Sequence, residues 1–173
     1  PTTPTIDYIT ISTTGNATDF GDRTVSKAQL AACSDGTKGI FGGGTSSDDT
    51  IDYVTISTTG NATDFGNLTV GRGQLAACAS LIRGLFGGGD SSSNVIEYIT
   101  IASIGDATDF GNLSAGRHFI GSCSDGTKGV WAGGSTGSIS NIIDYVTIDT
   151  TGNATDFGDL TGIRQSLSGL SGD

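Results

Sequence analysis

One phrase recurs four times in this chain of 173 residues, at a nearly fixed period. It opens on an Ile-acid-Tyr triplet and closes on Thr-Asp-Phe-Gly. The copies begin at Ile6, Ile51, Ile96 and Ile143, and the second reads IDYVTISTTGNATDFGN. Tyr8, Tyr53, Tyr98 and Tyr145 stand 45, 45 and 47 residues apart, and Phe20, Phe65, Phe110 and Phe157 keep the same intervals. A period of this length points to a propeller, a solenoid or an array of stacked units. The copies span 6–50, 51–95, 96–142 and 143–173, the last truncated relative to the others, and form one repeat domain.

Within a copy, four strand-like blocks follow from alternation and punctuation. IDYVTIS is rich in β-branched and aromatic residues, as strands prefer. TTGN supplies turn chemistry, because Gly and Asn tolerate positive φ. ATDFGNL resumes as a second strand, so the first half of each copy is a hairpin. The second half carries a small-residue strand around Cys33, Cys78 or Cys123. A turn follows, then GIFGGG, GLFGGG or GVWAGG. Two of these turns read SDGTKG, and Asp-Gly is a strong hairpin signal. Each unit is therefore predicted to hold four antiparallel strands, and no window sustains a helical period.

Composition agrees. The 29 glycines fall largely at repeat positions, which points to turns and close backbone approach rather than a linker. The net charge of −10 disfavours a nucleic-acid partner. No apolar run approaches the roughly 18 residues of a membrane span, and no signal peptide is visible. Seven of the eight basic residues sit at repeat positions. Lys27, Arg72, Arg117 and Arg164 each follow the repeat Phe by seven residues, Lys38, Arg83 and Lys128 lie at the turn, and Arg23 stands outside the pattern.

Four short antiparallel strands per unit are the makeup of a propeller blade, with a solenoid as the competing architecture. The Tyr strand, aromatic strand, basic residue and Gly-Gly strand resemble the kelch-type β-propeller family. In the second copy these are Tyr53, Phe65, Arg72 and Gly87-Gly88. The likeness covers nearly the whole chain but departs from the family in having Phe for the usual Trp and a longer Tyr-to-aromatic spacing. The fuller phrase is similar to kelch-like repeats of tail-fibre and other virion appendage proteins of marine bacteriophages, including those of cyanobacteria. That resemblance implies an all-β propeller of about four blades, the last incomplete. It also implies a non-enzymatic structural or binding module, in a virion or extracellular, that contacts a host surface.

The repeated side chains are expected to be architectural. Asp19, Asp64, Asp109 and Asp156 recur before the Phe. Each is expected to accept hydrogen bonds from a turn or to pair with the basic residue eight positions on, as Asp64 with Arg72. The three cysteines lie one repeat apart without CxxC spacing and read as small buried residues rather than metal ligands or disulfides. His118 is the only histidine and has no nucleophile motif beside it, which favours a surface variant. No catalytic residue, metal or cofactor is expected. Five Asn-X-Ser/Thr sequons occur, and turn chemistry accounts for those in GNAT without sugar.

Binding is expected where copies differ. The linkers hold Ser46, Ser47, Asp48 and Asp49, then Ser91, Ser92 and Asn94, then Ser138 and Asn141. Such polar loops suit a cell-surface glycan or a protein partner. The fourth copy lacks its Gly-aromatic-Gly-Gly strand, so the ring counts four Tyr hairpins against three complete Gly hairpins and a lone strand. Three readings follow: an excerpt of a larger ring, assembly with other copies as a homo-oligomer, or closure with one three-stranded blade. A self-assembling filament unit, a scaffold for protein partners and a propeller-scaffold enzyme are the alternatives of function.

Overall fold

The computed structural model describes residues 2–171. It is all-β and antiparallel, with one short 3-10 turn at Asp90–Ser92. Each Ile-acid-Tyr segment pairs with its Thr-Asp-Phe-Gly segment. These hairpins are β1 (Thr5–Tyr8) with β2 (Thr18–Asp22), β5 (Asp48–Thr55) with β6 (Thr63–Asn67), β9 (Val95–Thr100) with β10 (Thr108–Asn112), and β13 (Ile142–Thr147) with β14 (Thr155–Asp159). Each hairpin carries a bulge at the same place. In the second copy Asp64 faces Asp52 and Gly66 faces Ile51, which leaves Phe65 without a residue opposite it. A bulge re-aims the extra side chain. Here it turns the Phe edge-on to the repeat Tyr, with ring centroids 5.7 to 5.9 Å apart in all four copies. Such pairs contribute about 0.5–1.5 kcal/mol beyond burial.

The Gly hairpins are β3 (Ala31–Ser34) with β4 (Lys38–Gly44), β7 (Ala76–Ala79) with β8 (Arg83–Gly87), and β11 (Gly121–Ser124) with β12 (Lys128–Ala132). The sheets straddle the copies. Each Gly hairpin pairs with the Tyr hairpin of the following copy, so the four-stranded sheets run β3-β4-β5-β6, β7-β8-β9-β10 and β11-β12-β13-β14, and β1-β2 stands as a two-stranded sheet. The Gly-rich run and the next Ile-acid-Tyr triplet are close in sequence, so a short connection suffices to place them side by side.

Neighbouring sheets bury two apolar cores between them. One unites Ile40, Ile51 and Phe65 with Phe86, Ile99 and Ile101. The other unites Leu85, Ile96 and Phe110 with Trp131, Val146 and Ile148. Glycine makes the close packing possible. A Cβ on Gly87 would lie 2.8 Å from Nε1 of Trp131, the aromatic of the next sheet. The run of glycines beside an aromatic is thus the seat for the neighbouring copy's ring.

A second close approach joins the sheets at their outer edge. The turn of each later copy lies on the Phe-Gly strand of the copy before. Gly105 N donates to Phe65 O and Ala107 N donates to Asn67 O, both at 2.8 Å, and Asn67 N donates to Oδ1 of Asp106 at 2.9 Å. Gly60–Ala62 docks on β2 and Gly152–Ala154 on β10 in the same way. Gly66 has φ of 144°, and a Cβ there would lie 2.5 Å from Gly105 O. Gly158 has φ of 133° with open space around it. Both positions carry backbone strain on substitution, but only Gly66 adds a collision, and overpacking of this kind costs about 1–3 kcal/mol. Gly66→Ala is therefore expected to lose about 1–3 kcal/mol more stability than Gly158→Ala in urea unfolding. Equal losses would contradict the assigned contact.

Candidate functional site

The buried charges are structural clamps. Arg72 leaves β6 on the way to β7, and its guanidinium bonds to Oε1 of Glu97, the acid of the next Tyr triplet. It also donates to Gly88 O at 2.7 Å and Val70 O at 2.9 Å. Thr69 completes the set by donating its N–H and hydroxyl to Oε2 of Glu97, each at 2.6 Å. Arg117 repeats the clamp on Asp144 at 2.5 Å, with Gly133 O and Ile142 O as further acceptors. Burial pulls the Arg117 guanidinium below its ordinary range, and Asp144 opposes that shift. Breaking such a pair by removing one partner costs about 3–5 kcal/mol, since an unpaired charge stays buried.

Two expectations need correction. Arg72 does not pair with Asp64, which is exposed on β6. The arginine points into the sheet completed by the next copy, where Glu97 waits. Asp19 and Asp156 instead accept the N–H of the glycine two residues on, at 3.1 and 3.0 Å. In the first copy the clamp is made by Arg23, which the repeat spacing had set aside. Its Nε lies 3.2 Å from Oδ2 of Asp52, with Thr24 Oγ1 at 2.6 Å from Oδ1. Arg23 stands where Leu68 stands one copy later, and it supplies the guanidinium that Lys27 lacks. Arg164 is exposed.

The turn cations cover the tyrosines. Lys38 lies 5.5 Å from the Tyr53 ring centroid, Arg83 4.4 Å from that of Tyr98, and Lys128 5.1 Å from that of Tyr145. Lys38 Nζ also donates to Ile101 O at 2.8 Å and Arg83 to Ile148 O at 2.9 Å, which ties each sheet to the next.

The variable linkers are more committed than their composition suggests. Ser46, Ser47, Ser91 and Ser92 have positive φ of 54° to 66°. Asp48 is buried and its Oδ1 accepts the N–H of Thr50 at 3.0 Å. Carbonyls of Asp48, Asp49, Asn94 and Asn141 accept backbone N–H groups of the segment that follows the next Phe strand. Ser138 lies in an exposed turn. His118 is half-buried, forms a bridge with Ser135 and stacks edge-on against Phe119 at 5.1 Å.

A concavity of ligand size lies elsewhere. The edge strands β3, β7 and β11 lie in sequence, and their following turns surround a cavity of about 580 Å³. Such a volume falls in the ~300–1,000 Å³ range of small-ligand sites. Asp35 and Asp125 line it, and the Oδ1 of each accepts two backbone N–H bonds from its own turn. The N–H groups of Lys128 and Thr127 hold the Asp125 carboxyl below the usual carboxylate range. In the second copy Ser80 Oγ takes over this turn role. There Leu81 and Ile82 replace Gly-Thr and are 81% and 59% exposed at the cavity wall. Asp149 adds a third carboxylate, at a position held by Ser12, Ser57 and Ala102 in the other copies. The cavity thus gathers residues that leave the repeat consensus. The signal was present in the departure of SLIRG from SDGTKG, but nothing local to the sequence tells which turns meet.

A smaller cavity of about 210 Å³ is lined by Ala31, Ala76, Gly121 and Ser168, the equivalent residues of all four copies. Just along the strands Cys78 is buried, and Cys33 and Cys123 are half-buried. Cys33 Sγ faces Gly84, and Cys78 Sγ faces Gly129. All three cysteines are free. Burial, then the Asp35 charge, pushes the Cys33 thiol up to about 12, and burial with its two neighbouring thiols raises Cys78 well above the ordinary range. Among the described residues no group of three or more His, Cys, Asp or Glu is placed to hold a metal ion. No protein-family model and no curated protein sequence matches the chain.

The raised thiols give a pH signature. A group that folding holds protonated stabilises the fold fully below its unfolded pKa, and that stability is lost as pH rises toward the folded value. The wild-type melting temperature is expected to fall more steeply between about pH 8 and pH 10.5 than that of Cys33→Ala/Cys78→Ala. Parallel curves would show that the thiols are not shielded.

Proposed function

We propose that this chain is a non-enzymatic binding module whose sheets are blades of a kelch-like propeller, carried on a virion appendage or another extracellular surface that meets a host. The observation that carries the reading is the cavity at the β3, β7 and β11 turns. Its framework is built from consensus residues, while Leu81, Ile82 and Asp149 are particular to single copies. A rigid repeat with copy-specific side chains gathered at one mouth is suited to selecting a ligand.

The lining favours a polyol such as a surface glycan. Carboxylates of Asp35, Asp125 and Asp149 accept hydroxyl hydrogen bonds, and Ser34 and Thr127 offer hydroxyls of their own. Leu81 and Ile82 present apolar surface to the C–H face of a sugar ring. The net charge of −10 favours neutral or amino sugars over sulfated or sialylated ones. The order of strands in each four-stranded sheet, with the small-residue strand at one edge and the Phe strand at the other, is the order expected of a propeller blade.

A glycan array with titration of the best hit tests the reading. Neutral or amino-sugar glycans are expected to bind, and Leu81→Asp/Ile82→Asp, which alters only exposed side chains, is expected to weaken binding at least about tenfold. A protein that binds no glycan, or binds one equally well with the double substitution, would overturn it.

A further inference from the structure

The joint between sheets is made three times inside the chain, and each half of it is present once more without its counterpart. The donor half is the turn Gly15-Asn16-Ala17. Among the described residues its N–H groups make none of the bonds that Gly60, Gly105 and Gly152 make, and it is exposed throughout. The acceptor half is Phe157-Gly158-Asp159. Among the described residues no atom lies within 4 Å of the Cβ position of Gly158, whereas Gly21, Gly66 and Gly111 each receive a glycine carbonyl there.

The apolar surfaces follow the same division. Ile9 and Ile11 are 62% and 93% exposed, although the equivalents Val54, Ile99, Ile101, Val146 and Ile148 are buried; Ile56, whose preceding sheet is the two-stranded β1-β2, is 45% exposed. At the other end Phe157 is 57% exposed, although Phe65 and Phe110 are buried under the following sheet. Charge is complementary as well. Arg164 is the repeat equivalent of Arg72 and Arg117, and Asp7 that of Glu97 and Asp144. Both Arg164 and Asp7 are exposed and unpaired among the described residues.

We propose that these two faces bind each other between molecules, so that the head of one chain docks on the tail of a second copy. The contact reproduces the internal joint. Gly15 and Ala17 N–H groups donate to Phe157 and Asp159 carbonyls, Asn16 Oδ1 accepts from Asp159 N–H, Ile9 and Ile11 cover Phe157, and Asp7 meets Arg164. Apolar surface next to unpaired strand edge is a common docking signature. A head-to-tail contact closes into a ring where the rotation per chain permits, and otherwise extends as a filament. The inference is independent of the glycan reading, since neither face includes the cavity of Leu81 and Ile82.

Sedimentation velocity on the 173-residue protein tests it, with circular dichroism to confirm folding. The mass is expected to at least double as concentration rises about a hundredfold, as mass action requires. Ile11→Asp changes a side chain already in solvent and is expected to abolish the rise. Asp7→Arg and Arg164→Asp are each expected to weaken association about tenfold, and the doubly substituted chain to recover it. A monomer at every concentration would overturn the proposal. So would association that ignores Ile11→Asp, or charge reversals that fail to restore each other.

Discussion

The structure depends on a carbonyl oxygen resting on a glycine. At each joint a Gly-Asn-Ala or Gly-Asp-Ala turn reaches back to the preceding copy and lays its first carbonyl where any side chain on the Phe-Gly strand would stand. Two backbone bonds and one side-chain oxygen then lock the turn in place. With that spacing set, the Gly-rich strand can seat the next copy's Phe86 or Trp131, and the two inter-sheet cores can close. The third turn carries Asp106 in place of Asn, and this is consistent because only the acceptor oxygen is used.

Buried charge adds specificity to that packing. An arginine clamp crosses from one copy to the acid of the next, and its cost of desolvation is offset by backbone carbonyls as well as by the carboxylate. The first copy keeps the interaction while moving its source, from the Arg72 position to Arg23. There Arg23 reaches Asp52 through Nε alone, and the Thr24 hydroxyl supplies the other carboxylate contact. Because the joints are held by consensus residues, the turns at the far ends of β3, β7 and β11 are free to vary. Their variation converges on one cavity.

Much of the local structure was legible in the sequence. The Tyr and Phe of each copy announced a hairpin, and the hairpins, the Asp-Gly turns and the all-β class follow from alternation and punctuation. What was not legible is contact between copies. Asp64 is eight residues from Arg72 and Glu97 is 25, so proximity in sequence named the wrong partner. The glycine run was read as close approach, yet the ring that fills it lies a whole repeat away. The linkers at Ser46–Asp49 and Ser91–Asn94 look free by composition, but their carbonyls are spent on the segment that follows the next Phe strand. Leu81 and Ile82 carry no signal of their own in the sequence beyond the departure from SDGTKG, and only the meeting of three turns gives them a shared mouth. In each case the deciding neighbour is one period distant, where spacing alone carries no information about facing.

The central claim is that consecutive copies are welded through the turn-on-strand joint. Native-state hydrogen exchange in dilute solution tests it most directly. The amides of Gly60, Ala62, Gly105, Ala107, Gly152 and Ala154 donate across the joints, while those of Gly15 and Ala17 make no such bond among the described residues. The first six are expected to exchange only through large-scale opening, and the last two at nearly the rate of an unfolded chain. Gly105 and Ala107 exchanging as fast as Gly15 and Ala17 would contradict the account.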